Sequence, residues 1–246
     1  MKIGITERGD PSLDFSWKEK IDDMDGVIFV TKNLTDKLIE ETTPYWDKII
    51  FHITCTGYGG TVVEPNIPTF DKQLSQALKL VTMGFSKERA VIRIDPIIPT
   101  DKGLKTACKV FLNAYNLGFR RFRISLLDCY PHVRERMKSV NIEPPYGDNG
   151  FSPTNNMFEN TDSVVRQLKA IKSDIIVESC AEGKLKETEK VGCISHKDLA
   201  LLGLSVENVD SVGYQRKGCL CCSAKTELLS EKKRCPYKCL YCYWKD

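Results

Sequence analysis

The chain has 246 residues, in which 36 lysine and arginine side chains stand against 33 aspartate and glutamate side chains, a formal net charge of +3. This length suffices for one large domain or two small ones, and 41% hydrophobic with 28% charged residues argues against wholesale disorder. No apolar run approaches the roughly 20 residues of a membrane span, and the N-terminus turns charged at Glu7, so we expect a cytoplasmic protein without a signal peptide. The charge balance neither demands nor excludes a nucleic-acid partner.

Strand and helix patterns alternate along the chain. Short runs of β-branched and aromatic residues predict six strands at Lys2–Thr6, Val27–Thr31, Ile49–Thr54, Ala90–Asp95, Arg121–Leu126 and Ile175–Glu178. Apolar stripes at helical spacing predict helices that include residues 38–39, 74–81, 104–115 and 164–171. Thr35 precedes the first helix, Thr100 or Asp101 caps the third, and Asn160 or Thr161 caps the fourth.

This alternation predicts an α/β fold with a parallel sheet. Six strand–helix units suit a partial TIM-type barrel over residues 1–204, and an open doubly wound sheet is the alternative. No Gly-x-Gly-x-x-Gly follows the first strand, which weakens the dinucleotide-binding version of that alternative. Residues 141–160 are expected to form a long loop, and residues 205–246 a cysteine-rich extension packed on the barrel.

Polar side chains follow the predicted strands. Ligands of parallel α/β folds lie outside the carboxyl ends of the strands. The candidate binding residues at these ends are Lys32, Thr54, Arg93, Asp95 and Ser125. Arg93 and Asp95 alternate along one strand, so their side chains share a face of the sheet and can pair.

The cysteines are the unusual feature of the composition. Of 11 cysteines, six lie between residues 219 and 242. Cys235, Cys239 and Cys242 have the spacing Cys-x3-Cys-x2-Cys, with Tyr241 directly before the last. Three thiolates that leave one iron open suit a [4Fe–4S] cluster, whereas structural zinc prefers four ligands. Zinc binding and free or disulfide-forming cysteines remain the alternatives.

The loop resembles the cluster loop of radical S-adenosylmethionine enzymes, including its aromatic residue. Those enzymes have a partial barrel of six strand–helix units, but their loop normally follows the first strand. Nearly the whole chain also resembles domain of unknown function family 1848. The motifs that carry this resemblance are residues 27–33, 51–59, 64–68 and 93–98, Ser125 with Asp128 and Tyr130, residues 180–182, 193–194 and 215–221, and the cysteine loop.

The resemblance implies a cofactor and a reaction type. Cys235, Cys239 and Cys242 would ligate a [4Fe–4S] cluster whose open iron binds S-adenosylmethionine. A one-electron reductant would then drive formation of a 5′-deoxyadenosyl radical, which takes a hydrogen atom from an unknown substrate. Lys32, Arg93 and Asp95 are the expected catalytic and ligand-holding residues. The expected cofactor-binding residues are Thr54, Arg93, Asp95, Ser125 and Tyr241.

A second cysteine set follows from the same motifs. Cys180, Cys193, Cys219 and Cys221 each lie in a matching segment, and four thiolates make a closed site for a second iron–sulfur cluster or a zinc ion. Cys55, Cys108 and Cys129 match no cysteine of the motifs, and we expect them to be small hydrophobic residues.

Two other interpretations stay open. The first is a zinc-stabilised, non-catalytic binding protein whose basic and aromatic tail stacks on nucleic-acid bases. The second is a barrel enzyme of unrelated chemistry whose metal is only structural.

Overall fold

The structure, a computed structural model, describes residues 1–205, 225–231 and 234–244. The strands in these ranges form one parallel sheet that curls into a half-barrel, in the order β7-β6-β5-β4-β3-β2-β1-β8. Their bounds are β1 Ile3–Ile5, β2 Gly26–Thr31, β3 Ile49–Thr54, β4 Ala90–Ile97, β5 Arg121–Leu126, β6 Ile176–Cys180, β7 Glu189–Val191 and β8 Lys225–Glu227.

The predicted α/β partial barrel is confirmed. Strands β1 to β6 lie side by side in chain order, so the sheet has no point at which the order reverses, as a doubly wound sheet requires. The sequence patterns did not predict β7 and β8, because three residues are too few for a recognisable run. β8 pairs with β1 at one edge of the sheet, and β7 pairs with β6 at the other.

Six α-helices of the described residues flank the sheet. Their bounds are α1 Asp36–Thr42, α2 Phe70–Thr82, α3 Asp101–Asn116, α4 Pro131–Ser139, α5 Asn155–Ile171 and α6 His196–Leu201. The hydroxyl oxygen of Thr100 accepts a hydrogen bond from the first turn of α3, so Thr100, and not Asp101, is the cap of this helix. The helix predicted after Thr35 is confirmed as α1, and the Thr35 hydroxyl oxygen caps it in the same way. No helix of the described residues has the length and apolar character needed to cross a bilayer.

The predicted start of α5 is wrong. The helix begins at Asn155, where the side chain of Thr154 accepts a hydrogen bond from Met157 N–H. Asn160 and Thr161 therefore lie inside the helix, and the Thr161 hydroxyl donates to the Met157 carbonyl at 2.8 Å. The predicted loop at residues 141–160 is correspondingly too long, because its last six residues are helical.

The two faces of the sheet have different chemistry. The outer face and α1, α2, α3 and α5 share one large apolar core. On the inner face, Ile5, Ile28 and Ile50 form a smaller apolar cluster with Leu199 of α6 and with Ile194. The short helix α6 therefore fills the lower part of the half-barrel.

A buried ionic layer lies on the inner face beside α6. Arg121 Nη2 lies 2.8 Å from Glu178 Oε1, and Arg123 Nη2 lies 2.8 Å from Glu178 Oε2. Arg121 Nη1 also lies 2.7 Å from Asp198 Oδ1, so α6 is tied to β5 by charge. His52 is buried 3.9 Å from Asp198, where burial and then the charge of Arg123 lower the pKa of His52 to about 3. This histidine is therefore neutral inside the fold at neutral pH.

Candidate functional site

The carboxyl ends of β4 and β5 bring three of the predicted residues together. Arg93 Nη2 donates to one carboxylate oxygen of Asp95, and the Ser125 hydroxyl donates to the other. The predicted pairing of Arg93 with Asp95 is thus confirmed. Burial alone would raise the pKa of Asp95, but Arg93 and the Ser125 hydrogen bond together lower it to about 2. Asp95 is therefore a carboxylate at any physiological pH.

A second group at the strand ends contains a residue that the sequence analysis missed. Lys32 Nζ donates to the Tyr241 hydroxyl at 2.7 Å, and this hydroxyl donates to Oε1 of Glu64. Glu64 is only 1% exposed, and its other oxygen accepts a hydrogen bond from the Thr56 hydroxyl at 2.7 Å. Lys32 Nζ lies 3.3 Å from Glu64 as well, so the ammonium and carboxylate balance each other. We call Lys32, Glu64 and Tyr241 the lysine triad.

The backbone below the triad is held by buried polar side chains. Asp10 accepts hydrogen bonds from Lys32 N–H and from the Thr31 hydroxyl, both at 2.7 Å. The Gln73 side-chain amide donates to the carbonyl oxygens of Lys32 at 2.7 Å and of Thr54 at 2.8 Å. Thr54 therefore lies at the strand ends, where its carbonyl oxygen accepts the Gln73 hydrogen bond, and its role in cofactor binding stays a prediction.

The cysteine loop, residues 234–244, lies across these strand ends. Its contacts run from the segment after β1, through the loop after β3, to α4. After β1, the hydroxyls of Ser12 and Tyr237 are 3.0 Å apart. In the loop after β3, Val63 O accepts a hydrogen bond from Leu240 N–H at 3.0 Å, and Asn66 Nδ2 donates to Pro236 O at 2.7 Å. On α4, Arg136 donates to the carbonyls of Cys242 at 2.7 Å and of Trp244 at 2.9 Å. Three separate segments of the barrel therefore hold the loop across the strand ends.

The three loop cysteines differ in exposure. Cys235 is exposed, Cys239 is buried and Cys242 is half-buried. Burial raises the pKa of Cys239 to about 12, while the nearby charge of Lys32 acts in the opposite direction. Burial also raises the pKa of Cys235, and the charges of Cys235 and Cys242 both act on Cys239. The three thiols are thus close enough to influence one another.

The ligand sets remain predictions. In the described ranges, no three or more Cys, His, Asp or Glu side chains are arranged as a group that could hold a metal ion. Cys180 and Cys193 do lie together, with their sulfur atoms 3.9 Å apart. The hydrogen bond from Cys193, with Arg93 and Arg123 nearby, lowers the pKa of Cys180 to about 6. Cys219 and Cys221 lie outside the described residues.

Two of the cysteines expected to be small hydrophobic residues are buried. Cys55 belongs to the outer core, and Cys129 packs with Val133 and Met137 under the cysteine loop. Cys108 is half-buried on α3.

Removing the Tyr241 hydroxyl is expected to loosen the cysteine loop. Tyr241→Phe deletes one hydrogen bond to a buried carboxylate and one from an ammonium group, and each such bond contributes about 1.5–3 kcal/mol. We expect Cys239 of the metal-free protein to be alkylated roughly 10-fold faster or more, since about 1.4 kcal/mol is a factor of ten. Mass spectrometry of timed alkylation measures this rate. Tyr243→Phe is the matched control, because Tyr243 is exposed; equal rates in both variants would contradict the triad's role.

Comparison with known proteins gives a family. A family model described as a domain of unknown function, DUF1848, matches residues 14–244. The matched span includes the lysine triad, the Arg93–Asp95 pair and the whole described cysteine loop. No curated protein matches the chain.

Proposed function

This chain belongs to the DUF1848 family, and we propose that it is a radical S-adenosylmethionine-type iron–sulfur enzyme with an undetermined substrate. The observation that carries the proposal is the position of the cysteine loop over the carboxyl ends of the parallel strands. There Tyr241 of the loop contacts Lys32 after β2 and Glu64 after β3. This end of a parallel barrel is where catalytic sites are built.

The C-terminal origin of the loop is compatible with this function. In the superfamily that the loop resembles, the cysteines normally follow the first strand. Here the Tyr237 hydroxyl lies 3.0 Å from the hydroxyl of Ser12, which follows β1. The cysteine loop therefore lies beside the segment that follows the first strand, and this placement supports the proposal.

The chemistry of the donor set fits an iron–sulfur cluster. Cys235, Cys239 and Cys242 would hold it, and Lys32 would offset part of the negative charge that the thiolates bring. When bound, a [4Fe–4S] cluster with S-adenosylmethionine supplies one-electron cleavage of the sulfonium and a 5′-deoxyadenosyl radical for hydrogen-atom abstraction. The electrons would come from an external one-electron reductant.

In the proposed enzyme, side chains of the barrel bind and orient S-adenosylmethionine and the substrate. Asp95 presents a fixed negative charge and Arg93 a positive one, so together they suit a ligand that carries both charges, such as an amino-acid moiety. Lys32, Arg93 and Asp95 hold the methionine moiety, the ribose or the substrate. Tyr237 and Tyr241 of the cysteine loop are buried against the strand ends and exclude water from them.

One observation favours a second candidate function. Tyr243 and Trp244 are exposed, with ring centroids 5.1 Å apart, and Arg136 holds the Trp244 carbonyl. Exposed aromatic rings beside a basic side chain suit stacking on nucleic-acid bases. A zinc-stabilised binding protein would use this surface. Such a protein is colourless and lacks sulfide, whereas an iron–sulfur protein is brown.

The test of the proposed function uses the full chain purified without oxygen. We expect iron and acid-labile sulfide in near-equal amounts, binding of S-adenosylmethionine, and 5′-deoxyadenosine after chemical reduction, measured by chromatography. Failure of the cluster-loaded protein to bind S-adenosylmethionine would overturn the proposal. Zinc without sulfide, together with binding of single-stranded nucleic acid, would favour the second candidate.

Neutralising Asp95 is expected to weaken ligand binding without loss of iron. Asp95→Asn removes the negative partner of Arg93 and Ser125 but no proposed cluster ligand. We expect the Kd for S-adenosylmethionine to rise roughly 10-fold or more, the equivalent of about 1.4 kcal/mol. Isothermal titration and iron analysis measure the two quantities. Asp148→Asn, which changes a surface carboxylate, is the control, and an unchanged Kd in Asp95→Asn would remove Asp95 from the site.

A further inference from the structure

Two cysteines outside the cysteine loop lie side by side at the upper end of the inner face. Cys180 is the last residue of β6, and Cys193 lies between β7 and α6. Their sulfur atoms are 3.9 Å apart, and both are free thiols. The proposed function uses neither of them.

The distance between the two sulfur atoms indicates which kind of sulfur-bound centre fits between them. Two thiolates on one tetrahedral metal ion, each at about 2.3 Å, lie about 3.8 Å from each other. A disulfide needs about 2.05 Å. In a [4Fe–4S] cluster each iron takes a separate cysteine, which sets neighbouring cysteine sulfurs farther apart. We propose that Cys180 and Cys193 are two ligands of a single zinc ion.

The surrounding backbone holds this pair in place without metal. Arg123 Nη1 donates to the carbonyl oxygens of Gly192 at 3.2 Å and of Cys193 at 2.9 Å. Cys180 is paired with Val191 in the register of β6 and β7. Both segments that carry the sulfurs are therefore fixed by hydrogen bonds, as expected of a preorganised metal site.

The ion would join β6 to the segment that leads into α6. The Ser195 side chain caps this helix three residues before Asp198, which belongs to the ionic layer. A metal at Cys193 would therefore anchor the start of α6, the helix that fills the lower part of the half-barrel. No third Cys, His, Asp or Glu of the described ranges completes the group, so the proposal rests on the described pair alone. It does not depend on the proposed function.

The experiment measures zinc in the full chain, purified without oxygen from zinc- and iron-supplemented cells. We expect at least one zinc per chain, with joint protection of Cys180 and Cys193 from alkylation that a strong chelator removes. Cys180→Ser and Cys193→Ser should each lose this zinc. Cys108→Ser, a half-buried cysteine on α3, and Cys239→Ala in the cysteine loop should both retain it.

Cobalt substitution keeps the test decisive if the serine variants fail to fold. Cobalt in the wild-type chain should show sulfur-to-cobalt charge-transfer absorption, and its appearance should coincide with protection of these two thiols. Absence of zinc from the wild type, a Cys180–Cys193 disulfide, or zinc lost only in Cys239→Ala would overturn the proposal. Loss of acid-labile sulfide in Cys180→Ser would also overturn it, since a cluster and not a single ion would then be present.

Discussion

Replacing Cys239 by alanine is expected to remove most of the iron from the protein and to abolish cleavage of S-adenosylmethionine. Cys239 is the buried member of the three loop cysteines, and its charge interacts with that of Lys32. With two thiolates left, the loop cannot hold a cluster with three protein-bound irons. Iron and sulfide analysis, visible absorption and chromatographic detection of 5′-deoxyadenosine are the measurements.

A matched variant separates loss of the cluster from loss of the fold. Cys108→Ala removes a half-buried thiol on α3, far from the proposed ligands in sequence, and should keep both iron and activity. The far-ultraviolet circular dichroism of Cys239→Ala should match that of the wild type, because the sheet and its outer core do not include the loop. Full iron content in Cys239→Ala would contradict the assignment of the loop as the cluster site.

The fold was largely predictable because the residues of the buried strands form recognisable patterns in the sequence. Ile49–Thr54 and Arg121–Leu126 were predicted with the observed bounds, since buried parallel strands read as near-continuous runs of β-formers. The start of α5 was mispredicted because Asn160 and Thr161 are also good capping residues. The competing cap Thr154 follows a proline, and only the tertiary structure distinguishes these choices.

The candidate site was predictable only where its contacts are local. Arg93 and Asp95 are two residues apart on one strand, so alternation alone placed them on one face. Glu64 and Tyr241 are 177 residues apart, and Glu64 lies in a loop whose path no periodicity reveals. The spacing of the cysteine loop indicated Tyr241, but no neighbouring residue in the sequence indicated that its hydroxyl would contact a buried carboxylate.

The inner face of the half-barrel is divided into three levels. Ile28 and Ile50 lie at the bottom with α6, the arginine–carboxylate layer lies in the middle, and the Arg93–Asp95 pair lies at the top. Arg123 links the upper two levels, since it binds Glu178 and is the β5 register partner of Arg93 on β4. The ionic layer therefore supports the residues that face the cysteine loop.

Breaking this layer is expected to cause a large loss of stability. Glu178 is fully buried and accepts from Arg121 and Arg123, while Asp198 is the other carboxylate of the layer. Two guanidinium groups are thus balanced by two carboxylates. Glu178→Gln leaves one buried positive charge without compensation, which costs about 3–5 kcal/mol. Chemical denaturation of the full chain measures the free energy of unfolding.

The control is an ion pair of the same chemistry at the surface. Asp148→Asn breaks the exposed pair with Lys138, and exposed pairs contribute about 0–1 kcal/mol because water screens them. A loss below about 1 kcal/mol in Glu178→Gln, equal to that in Asp148→Asn, would contradict a structural role for the layer. Burial of Asp198 opposes its charge, yet Arg123 and Arg121 hold the pKa of Asp198 well below its usual range. Asp198 therefore stays ionised at neutral pH and already balances one guanidinium group, so it cannot replace the negative charge that Glu178→Gln removes. The full loss in the free energy of unfolding should therefore be measured.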